Sequence, residues 1–288
     1  MFILNFLGID FEDWYHPQLI KENLPLEKKL EPKVIQGIDK ILDWLRQNDT
    51  LATFFVVGEL LEYEPELLDK IIENDHEIGF HTMHHNRLDE DDFKGKFSQE
   101  LDRFSELTQK RSIGFRAPTF SLNNTSSWII DSLEKLNYIY DSSIVPAKTS
   151  LYGMPNAEIS PYRISSESLE QHDKNGKIVE FPIMVTKYFG KKIPAGGGFY
   201  LRFLSKNKIS KSIENYEKNE IPSTFYIHSW ELTPEFIPKI KLPFKENFVT
   251  FHNIQKAYDK MEFLLQKFEF SSFDNFFHNT PKKFSSII

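Results

Sequence analysis

Seven short apolar segments, typical of buried strands, alternate along the chain with segments whose apolar residues recur at helical spacing. The predicted strands cover residues 2–10, 53–57, 76–80, 112–116, 138–141, 178–182 and 224–228. The predicted helices cover residues 34–45, 65–74, 93–107, 126–137, 205–219 and 254–268. Strands joined through helices pair in parallel, because a parallel neighbour is reached only by a crossover connection. The order therefore predicts an α/β fold, for which we favour an incomplete (β/α) barrel over an open doubly wound sheet.

The composition is that of one globular domain. Hydrophobic residues make up 40% of the 288 residues and charged residues 27%, without an internal repeat or a clear linker. We expect a single domain over residues 1–288, with the motifs in a core at about 2–232 and a C-terminal helix and tail at 233–288.

The charge and the missing residue types exclude several classes of protein. The net charge is −7 and no run of Lys and Arg interleaves with aromatic residues, so nucleic acid is not an expected partner. The absence of cysteine excludes disulfides, thiolate metal sites and a cysteine nucleophile. The N-terminal apolar run lacks the marks of a signal peptide and is too short to span a bilayer. We therefore expect a soluble cytoplasmic protein without a transmembrane segment.

Polar residues that are able to carry chemistry stand where the predicted strands end. They are Asp10, Glu12, Asp13, His81, His84, His85, Arg116, Asp141, His228, Trp230 and Glu231. In a parallel barrel the carboxyl ends of all strands open onto one face, where active sites lie. Segments far apart in the sequence are thus expected to converge on one cleft.

His81 and His85 are four residues apart, a spacing that places two imidazoles on one face of a helical turn and lets them share a metal ion. Such a pair alone is more often part of a surface loop, unless an acidic third ligand lies elsewhere. Asp10, Glu12 and Asp13 supply carboxylates after a buried strand, where a cation or an arginine must compensate their charge. The alternative for these acids is a solvated turn or a helix cap. Two histidines and one carboxylate leave metal positions open for water and substrate, as hydrolysis requires.

Arg116 and His228 are the remaining candidates for a catalytic role. An arginine that ends a buried strand needs an anionic partner, and the acids at residues 10–13 are available. His228 stands at a strand exit beside aromatic residues, either as a core histidine or as a general acid that protonates a leaving amine.

The order and spacing of these segments resemble those of the polysaccharide deacetylases of carbohydrate esterase family four, also called the NodB homology domain, over roughly residues 2–232. The motifs that carry the resemblance are Asp10-Phe11-Glu12-Asp13, His76 to His85, Gly114 to Pro118, Tyr140-Asp141-Ser142-Ser143 and Tyr226-Ile227-His228. The first motif departs from the more usual Thr-Phe-Asp-Asp. Glu180-Phe181-Pro182 and Trp230-Glu231 resemble a subgroup associated with exopolysaccharide and glycan assembly, whose opening motif also reads Asp-x-Glu-Asp.

The resemblance implies a distorted seven-stranded (β/α) barrel of the NodB type that binds a divalent metal ion, most often Zn²⁺. His81 and His85 would be metal ligands, Arg116 would orient the catalytic carboxylate, and His228 would be the general acid. Asp141 would hold His228 or Arg116 in place.

The resemblance leaves the roles of the three N-terminal acids open. In the common motif the first of two adjacent acids is the base and the second binds the metal, which maps onto Glu12 and Asp13. Relatives with an Asp-x-Asp opening suggest Asp10 as base and Glu12 as ligand instead, and strand alternation places these two side chains on the same side. We favour Asp13 as the ligand and leave the base between Glu12 and Asp10.

Three further residues are expected to contact the substrate. Backbone N–H groups near Thr119 would stabilise an oxyanion, and Tyr200 and Trp230 would stack on a sugar ring. The expected function is metal-dependent removal of an acetyl group from an N-acetylated sugar or glycan precursor. The alternatives are an allantoinase-like hydrolase of cyclic amides and a carbohydrate-binding protein with a dead site.

Overall fold

The computed structural model describes residues 4–24, 30–279 and 282–287. Its strands are β1 (Asn5–Phe11), β2 (Thr53–Val56), β3 (Glu77–Phe80), β4 (Gly114–Phe115), β5 (Tyr140–Asp141), β6 (Tyr162–Ile164), β7 (Ile178–Glu180), β8 (Val185–Tyr188), β9 (Lys191–Pro194), β10 (Thr224–His228) and β11 (Phe270–Ser271). Each of the seven predicted strands is present among them, although residues 2–3 of the first prediction lie outside the described residues.

The seven predicted strands form one parallel sheet in the order β10-β1-β2-β3-β4-β5-β7. β6 pairs antiparallel with β7 at one edge, and β11 pairs with β1. A contact across the sheet shows that the sheet curls. Phe6 on β1 and Phe181, which follows β7, have their ring centroids 5.2 Å apart, although four strands lie between β1 and β7 in the sheet. The predicted distorted (β/α) barrel is therefore confirmed, in the form of a curled half-barrel.

Helices connect the strands, and most of them cover the outside of the sheet. They are α1 (Gln18–Lys21), α2 (Ile38–Gln47), α3 (Gly58–Tyr63), α4 (Glu66–Glu73), α5 (Phe93–Leu107), α6 (Ile129–Lys135), α7 (Gly198–Phe203), α8 (Lys206–Lys218), α9 (Ser229–Leu232), α10 (Phe244–Phe251), α11 (Ala257–Leu265) and α12 (Asp274–His278). A 3-10 turn, Val34–Gly37, precedes α2, and the predicted helix at 254–268 is likewise split into a 3-10 turn and α11. No helix in the described part of the chain is both long and apolar enough to cross a membrane.

Two apolar clusters hold the sheet between them. Residues that point outward, such as Ile9 and Phe54, pack with the helices in the larger cluster. Residues that point inward, such as Phe6 and Tyr140, pack with Phe273 and other rings of the C-terminal segment. These C-terminal rings thus fill the inside of the half-barrel, at the end opposite the cleft described below. The sequence pattern predicted only a helix and a tail for this part of the chain.

The glycine run at residues 196–198 lies beside the edge strand β10. Tyr226 donates its backbone N–H to the carbonyl of Gly196 at 2.7 Å. Gly197 has a φ of 142°, and a Cβ atom there would lie 1.9 Å from the carbonyl oxygen of Tyr226. Only glycine allows this backbone to approach so closely. The run is preceded by the β8–β9 hairpin, which the sequence pattern did not predict.

Candidate active site

The carboxyl ends of the parallel strands lie level with one another, and the register sets which residues meet there. Asp10 at the end of β1 is the neighbour of His228 on β10. Arg116 donates its backbone N–H to Phe80, the residue before His81. The rim surrounds an open cleft of about 720 Å³. Its polar lining includes Asp10, Glu12, His81, His85, Thr119 and His228.

Glu12, His81 and His85 form a buried group whose ligand atoms all lie within 4.8 Å of one another. The ring of His81 is fixed by a 2.6 Å hydrogen bond between its Nδ1 and the carbonyl oxygen of Arg116, so that Nδ1 carries the proton and Nε2 keeps its lone pair. Oε2 of Glu12 lies 2.5 Å from Nε2 of His85, and this buried oxygen has no other polar partner among the described residues. Two imidazoles and a carboxylate suit a divalent transition metal ion, and the group is able to hold one.

The two histidines meet through a loop rather than through a helical turn, contrary to our expectation. Thr82 and His85 both have positive φ, 57° and 53°, which no helix allows. The loop is held by α3, since Gly58 and Glu59 donate their backbone N–H groups to residues 82 and 83. His84 points out of the group, with its Nδ1 2.8 Å from a carboxylate oxygen of Glu59.

The prediction of Asp13 as the third ligand is corrected to Glu12. The carboxylate of Asp13 accepts hydrogen bonds from the backbone N–H groups of Trp14, Lys33 and Val34, so it holds the turn after β1 against the start of the next segment. β1 extends through residue 11, and the alternation that the strand imposes directs the side chains of Asp10 and Glu12 into the cleft. The alternative drawn from the Asp-x-Asp opening therefore agrees with the geometry.

Arg116 and Asp10 form a buried ion pair under the cleft. Nη1 of Arg116 donates to Oδ1 of Asp10 at 2.7 Å, while its Nε and Nη2 donate to the carbonyl and hydroxyl oxygens of Ser142. The guanidinium lies 4.1 Å from the ring centroid of Phe55, and it crosses β1 at Gly8, where a Cβ atom would be 2.4 Å from Nη1. The arginine is thus fixed on every side, and it fixes Asp10 in turn.

His228 is held by Glu231. The sequence shows this acid at the strand end, but we did not predict it as a residue of the site. Nδ1 of His228 lies 2.7 Å from Oε2 of Glu231, whose other oxygen accepts a 2.6 Å hydrogen bond from Nε of Arg202. Nε2 of His228 faces the cleft, 3.9 Å from Oε1 of Glu12. The spacing of three residues between His228 and Glu231 was a visible signal, whereas the contact with Arg202 was not.

The charges around the cleft set the protonation of its groups. Burial lowers the pKa of His81 to about 4, so that its imidazole is neutral near pH 7 and is ready to bind a metal ion. Burial alone would raise the pKa of Glu12, but the charge and hydrogen bond of His85 and the charge of His228 hold it well below its usual range. Burial also opposes the charged form of His228, but the Glu231 carboxylate beside it raises the pKa of His228 to about 9. This imidazole therefore carries a proton near neutral pH.

The structure places Asp141 outside the cleft and in contact with neither His228 nor Arg116. Tyr140 points into the half-barrel, so its neighbour Asp141 points outward, where it lies beside Glu180. Burial raises the pKa of both carboxyl groups, and the charge of Asp141 adds to the rise in the pKa of Glu180. Asp141 accepts from the hydroxyl of Ser143, which in turn accepts from the backbone N–H of Ala117. Asp141 therefore affects Arg116 only indirectly, through Ser143 and the backbone N–H of Ala117, the residue after Arg116.

The predicted substrate contacts differ from one another in placement. Thr119 lines the cleft with a φ of 53°. Tyr200 packs against the larger apolar cluster, and its neighbour Phe199 lines the cleft instead. Trp230 reaches the cleft, but it is buried, it donates from Nε1 to Oε1 of Glu12 at 2.9 Å, and its face is stacked on His228. It positions catalytic groups rather than offering a free face to a sugar.

Two family models match the chain, one after the other. The model described as Polysaccharide deacetylase matches residues 35–138, and the model described as Domain of unknown function (DUF3473) matches residues 142–278. The first range contains His81, His85 and Arg116, the residues that the structure gathers at the cleft. Residues 35–138 of the chain therefore match the polysaccharide deacetylase family.

Several curated proteins that are similar to this chain are named as deacetylases. A peptidoglycan-N-acetylglucosamine deacetylase of Bacillus cereus is 33% identical over 93 residues, which are 30% of this chain and 41% of the relative. A chitooligosaccharide deacetylase of Bradyrhizobium sp. is 42% identical over 48 residues, 17% of this chain and 22% of the relative. The match spans less than half the length of either relative.

A solved structure shows the same fold over nearly the whole chain. A putative polysaccharide deacetylase from Mycobacterium smegmatis superposes with a TM-score of 0.51 over 93% of this chain and 86% of that chain, at 16% sequence identity. The two matched ranges are not separate folds, because one sheet runs through both of them. β4 in the first range pairs with β5, which lies between the two ranges, and β5 pairs with β7 in the second range.

Proposed function

We propose that this chain is a metal-dependent hydrolase that removes the acetyl group from an N-acetylated sugar. The observation that carries the proposal is the convergence, in one cleft, of a metal-ligand group, an arginine-held carboxylate and a carboxylate-held imidazole. Metal-dependent hydrolysis of an amide uses these three functions together. The names of the relatives supply the chemical class of the substrate, an N-acetylated glycan.

Glu12, His81 and His85 would hold the metal ion, which we propose to be Zn²⁺ because this ion prefers nitrogen and carboxylate ligands in sets of three. A metal ion bound there lowers the pKa of a water molecule and polarises an amide carbonyl. Trp230 holds Glu12 by a hydrogen bond to the oxygen that does not face His85. The indole therefore fixes which carboxylate oxygen is directed at the histidines.

Asp10 is proposed as the general base that takes the proton from the attacking water. Asp10 lies two residues before Glu12 in the sequence, and both side chains line the cleft. Asp10 also forms an ion pair with Arg116. The ion pair fixes the orientation of the carboxylate, which a base requires. The oxyanion would be stabilised by backbone N–H groups near Thr119, in addition to the metal ion.

His228 is proposed as the general acid. An amine is a poor leaving group unless its nitrogen is protonated as the C–N bond breaks. The hydrogen bond and the charge of Glu231 keep the imidazole protonated near neutral pH, and Nε2 faces the cleft. This nitrogen is thus placed to hand a proton to the amine.

The natural substrate is proposed to be a glycan precursor, such as a nucleotide- or lipid-linked N-acetyl sugar. Tyr152, Phe199 and Tyr226 line the cleft and supply aromatic and hydroxyl surface for a sugar ring. The cytoplasmic location expected from the sequence stays a prediction, and fractionation of cells that express the tagged protein tests it.

The assignment of the three acids is tested by metal content and acetate release in Glu12→Gln, Asp10→Asn and Asp13→Asn. We expect the purified protein to hold about one divalent ion per chain and to release acetate from N-acetylated oligosaccharides. Glu12→Gln should lose both the ion and the activity, whereas Asp10→Asn should keep the ion and lose turnover. Asp13→Asn is the matched control, because it changes a neighbouring acid that binds backbone N–H groups and should keep the ion.

The general acid and the reaction class are tested separately. His228→Ala should keep the ion and lose turnover by about 10²–10⁴-fold, the usual range for acid–base catalysis. A panel of cyclic ureides serves as the second substrate class, since ring opening without acetate release would replace deacetylation as the activity. Loss of metal in Asp13→Asn but not in Glu12→Gln, or full activity of His228→Ala, would contradict the assigned roles.

A further inference from the structure

The β8–β9 hairpin projects a bare aromatic ring from the protein. Its two-residue turn is Phe189-Gly190, and the side chain of Phe189 is 91% exposed. Among the described residues this is the largest exposed fraction of a large hydrophobic side chain. The whole face of this ring is therefore available to contact a partner.

The turn holds this ring in an unfavourable backbone conformation. Phe189 has a φ of 45° and Gly190 a φ of 77°, so both central residues lie in the left-handed region, as in a type I′ turn. Asn and Gly suit these positions, whereas a bulky residue with positive φ is strained. Phe189 is thus both strained and exposed, and its contact with Tyr188 leaves it almost entirely open to solvent.

Lysines surround the hairpin tip although the chain as a whole has a net charge of −7. Lys187 on β8 lies directly opposite Lys192 on β9, and Lys191 follows the turn. Like charges directly across a strand pair destabilise it unless an opposite charge compensates them. Among the described residues, no carboxylate lies within ion-pair distance of these three lysines.

The positive surface continues onto α8. A groove of about 880 Å³ between the hairpin and this helix is lined by Lys187, Lys192, Lys208 and Lys211, and no described acidic residue lines it. We name the hairpin tip together with these lysines and Lys191 the basic tip. An anion is therefore the partner that the charge of this surface fits.

A line of aromatic rings joins the basic tip to the cleft. Tyr188 contacts Phe203, which is 45% exposed, at 6.3 Å between centroids, and Phe203 stacks on Phe199 at 5.5 Å. Phe199 lines the cleft. The basic tip and the cleft thus lie on connected surface, so a partner bound at the tip lies near the opening of the active site.

We propose that the basic tip docks the protein on an anionic lipid surface, with Phe189 inserted between the headgroups and the lysines beside the lipid phosphates. A protruding ring next to a cluster of lysines combines the two contributions that hold peripheral proteins on membranes, buried apolar area and attraction to anionic lipid. A neutral glycan would not use the positive charge of five lysines, and a soluble polyanion would gain nothing from an apolar tip. This docking does not depend on the chemistry proposed for the cleft, although it would bring the cleft to substrates at a membrane.

Docking is tested by co-sedimentation of the purified full chain with lipid vesicles. We expect binding to vesicles of phosphatidylcholine mixed with phosphatidylglycerol, weaker binding as salt is raised, and little binding to phosphatidylcholine alone. Phe189→Asn should reduce binding by about tenfold or more, because it removes the inserted ring. It should not lower the unfolding temperature, because Asn is favoured in this turn. Each Lys→Glu change at Lys187 or Lys192 should reduce binding by about fivefold or more.

Matched variants control for general effects of losing a ring or a positive charge. Tyr63→Asn removes a ring that is 59% exposed but lies between Glu62 and Glu64, and Lys174→Glu changes an exposed lysine in another loop. Both should bind vesicles as the unaltered chain does. The proposal is overturned if the unaltered chain does not bind anionic vesicles, if it binds neutral vesicles equally well, or if Phe189→Asn binds as strongly. It is also overturned if Phe189→Asn instead dissociates a dimer seen by analytical ultracentrifugation, or if soluble polyphosphate binds tightly and independently of residue 189.

Discussion

Gly8→Ala is the substitution that most directly disturbs the ion pair under the cleft. A Cβ atom at residue 8 would lie 2.4 Å from Nη1 of Arg116 and 2.9 Å from its Cζ. The guanidinium is unable to move aside easily, because it is bonded to Asp10 and Ser142 and stacked on Phe55. The added methyl group must therefore displace the arginine or strain β1.

The size of the effect follows from this packing. Overfilling a rigid interior typically lowers the free energy of unfolding by about 1–3 kcal/mol. An unfolding entropy of about 2.1 cal/mol/K per residue amounts to about 0.6 kcal/mol/K for a chain of this length, so Tm should fall by about 2–5 °C. Turnover should fall by about 10–100-fold, since a shifted Arg116 no longer holds Asp10 in its catalytic orientation. Metal content should not change, because Glu12, His81 and His85 are untouched.

Calorimetry, acetate release and metal analysis on the same preparation measure these three quantities. Gly95→Ala is the matched control, because residue 95 is an exposed position of α5 where a Cβ atom meets nothing within 4 Å. Alanine is favoured over glycine in a helix by about 0.5–1 kcal/mol, so the control should raise Tm slightly and leave turnover unchanged. If Gly8→Ala is as stable and as active as the unaltered chain, Arg116 is not confined in the way described.

Two further predictions concern charged groups. Glu231→Gln should move the alkaline limb of the pH–rate profile to lower pH and reduce turnover, because the carboxylate raises the pKa of His228 to about 9 and orients its ring; an unmoved limb would show that another group sets it. Burial, together with the charge of Asp274, raises the pKa of Glu77 to about 8, above its value in the unfolded chain. The folded chain then binds the extra proton, so the free energy of unfolding should fall as pH rises from about 4.5 to about 8. Urea unfolding at several pH values should show that the free energy of unfolding of Glu77→Gln falls less with pH than that of the unaltered chain. An equal fall would show that Glu77 does not cause it. The effect should be modest, because Glu77 is partly exposed.

The sequence pattern was sufficient for the secondary structure that positions the site. Apolar period and length distinguish buried strands from helices locally, and the alternation of the two implies a parallel sheet whose carboxyl ends share one face. His81, His85, Arg116 and His228 were therefore recognisable as one group before their contacts were known. Elements without a distinctive local pattern were missed, among them β6, the β8–β9 hairpin and the C-terminal rings that fill the half-barrel.

The tertiary structure decided which partner each polar side chain has. The sequence offered three acids in four residues, and Asp13 was excluded as a ligand only by its bonds to Lys33 and Val34, about twenty residues further along the chain. Glu231 holds His228 and is itself held by Arg202, a contact that the sequence does not show. Asp141 does not hold His228 or Arg116 as expected, because it faces outward, toward Glu180. Local sequence determines the strand and the side to which a residue points, since both follow from short-range backbone geometry. The hydrogen-bond partner that fixes its charge and orientation comes from a distant segment, and only the folded chain brings that segment near.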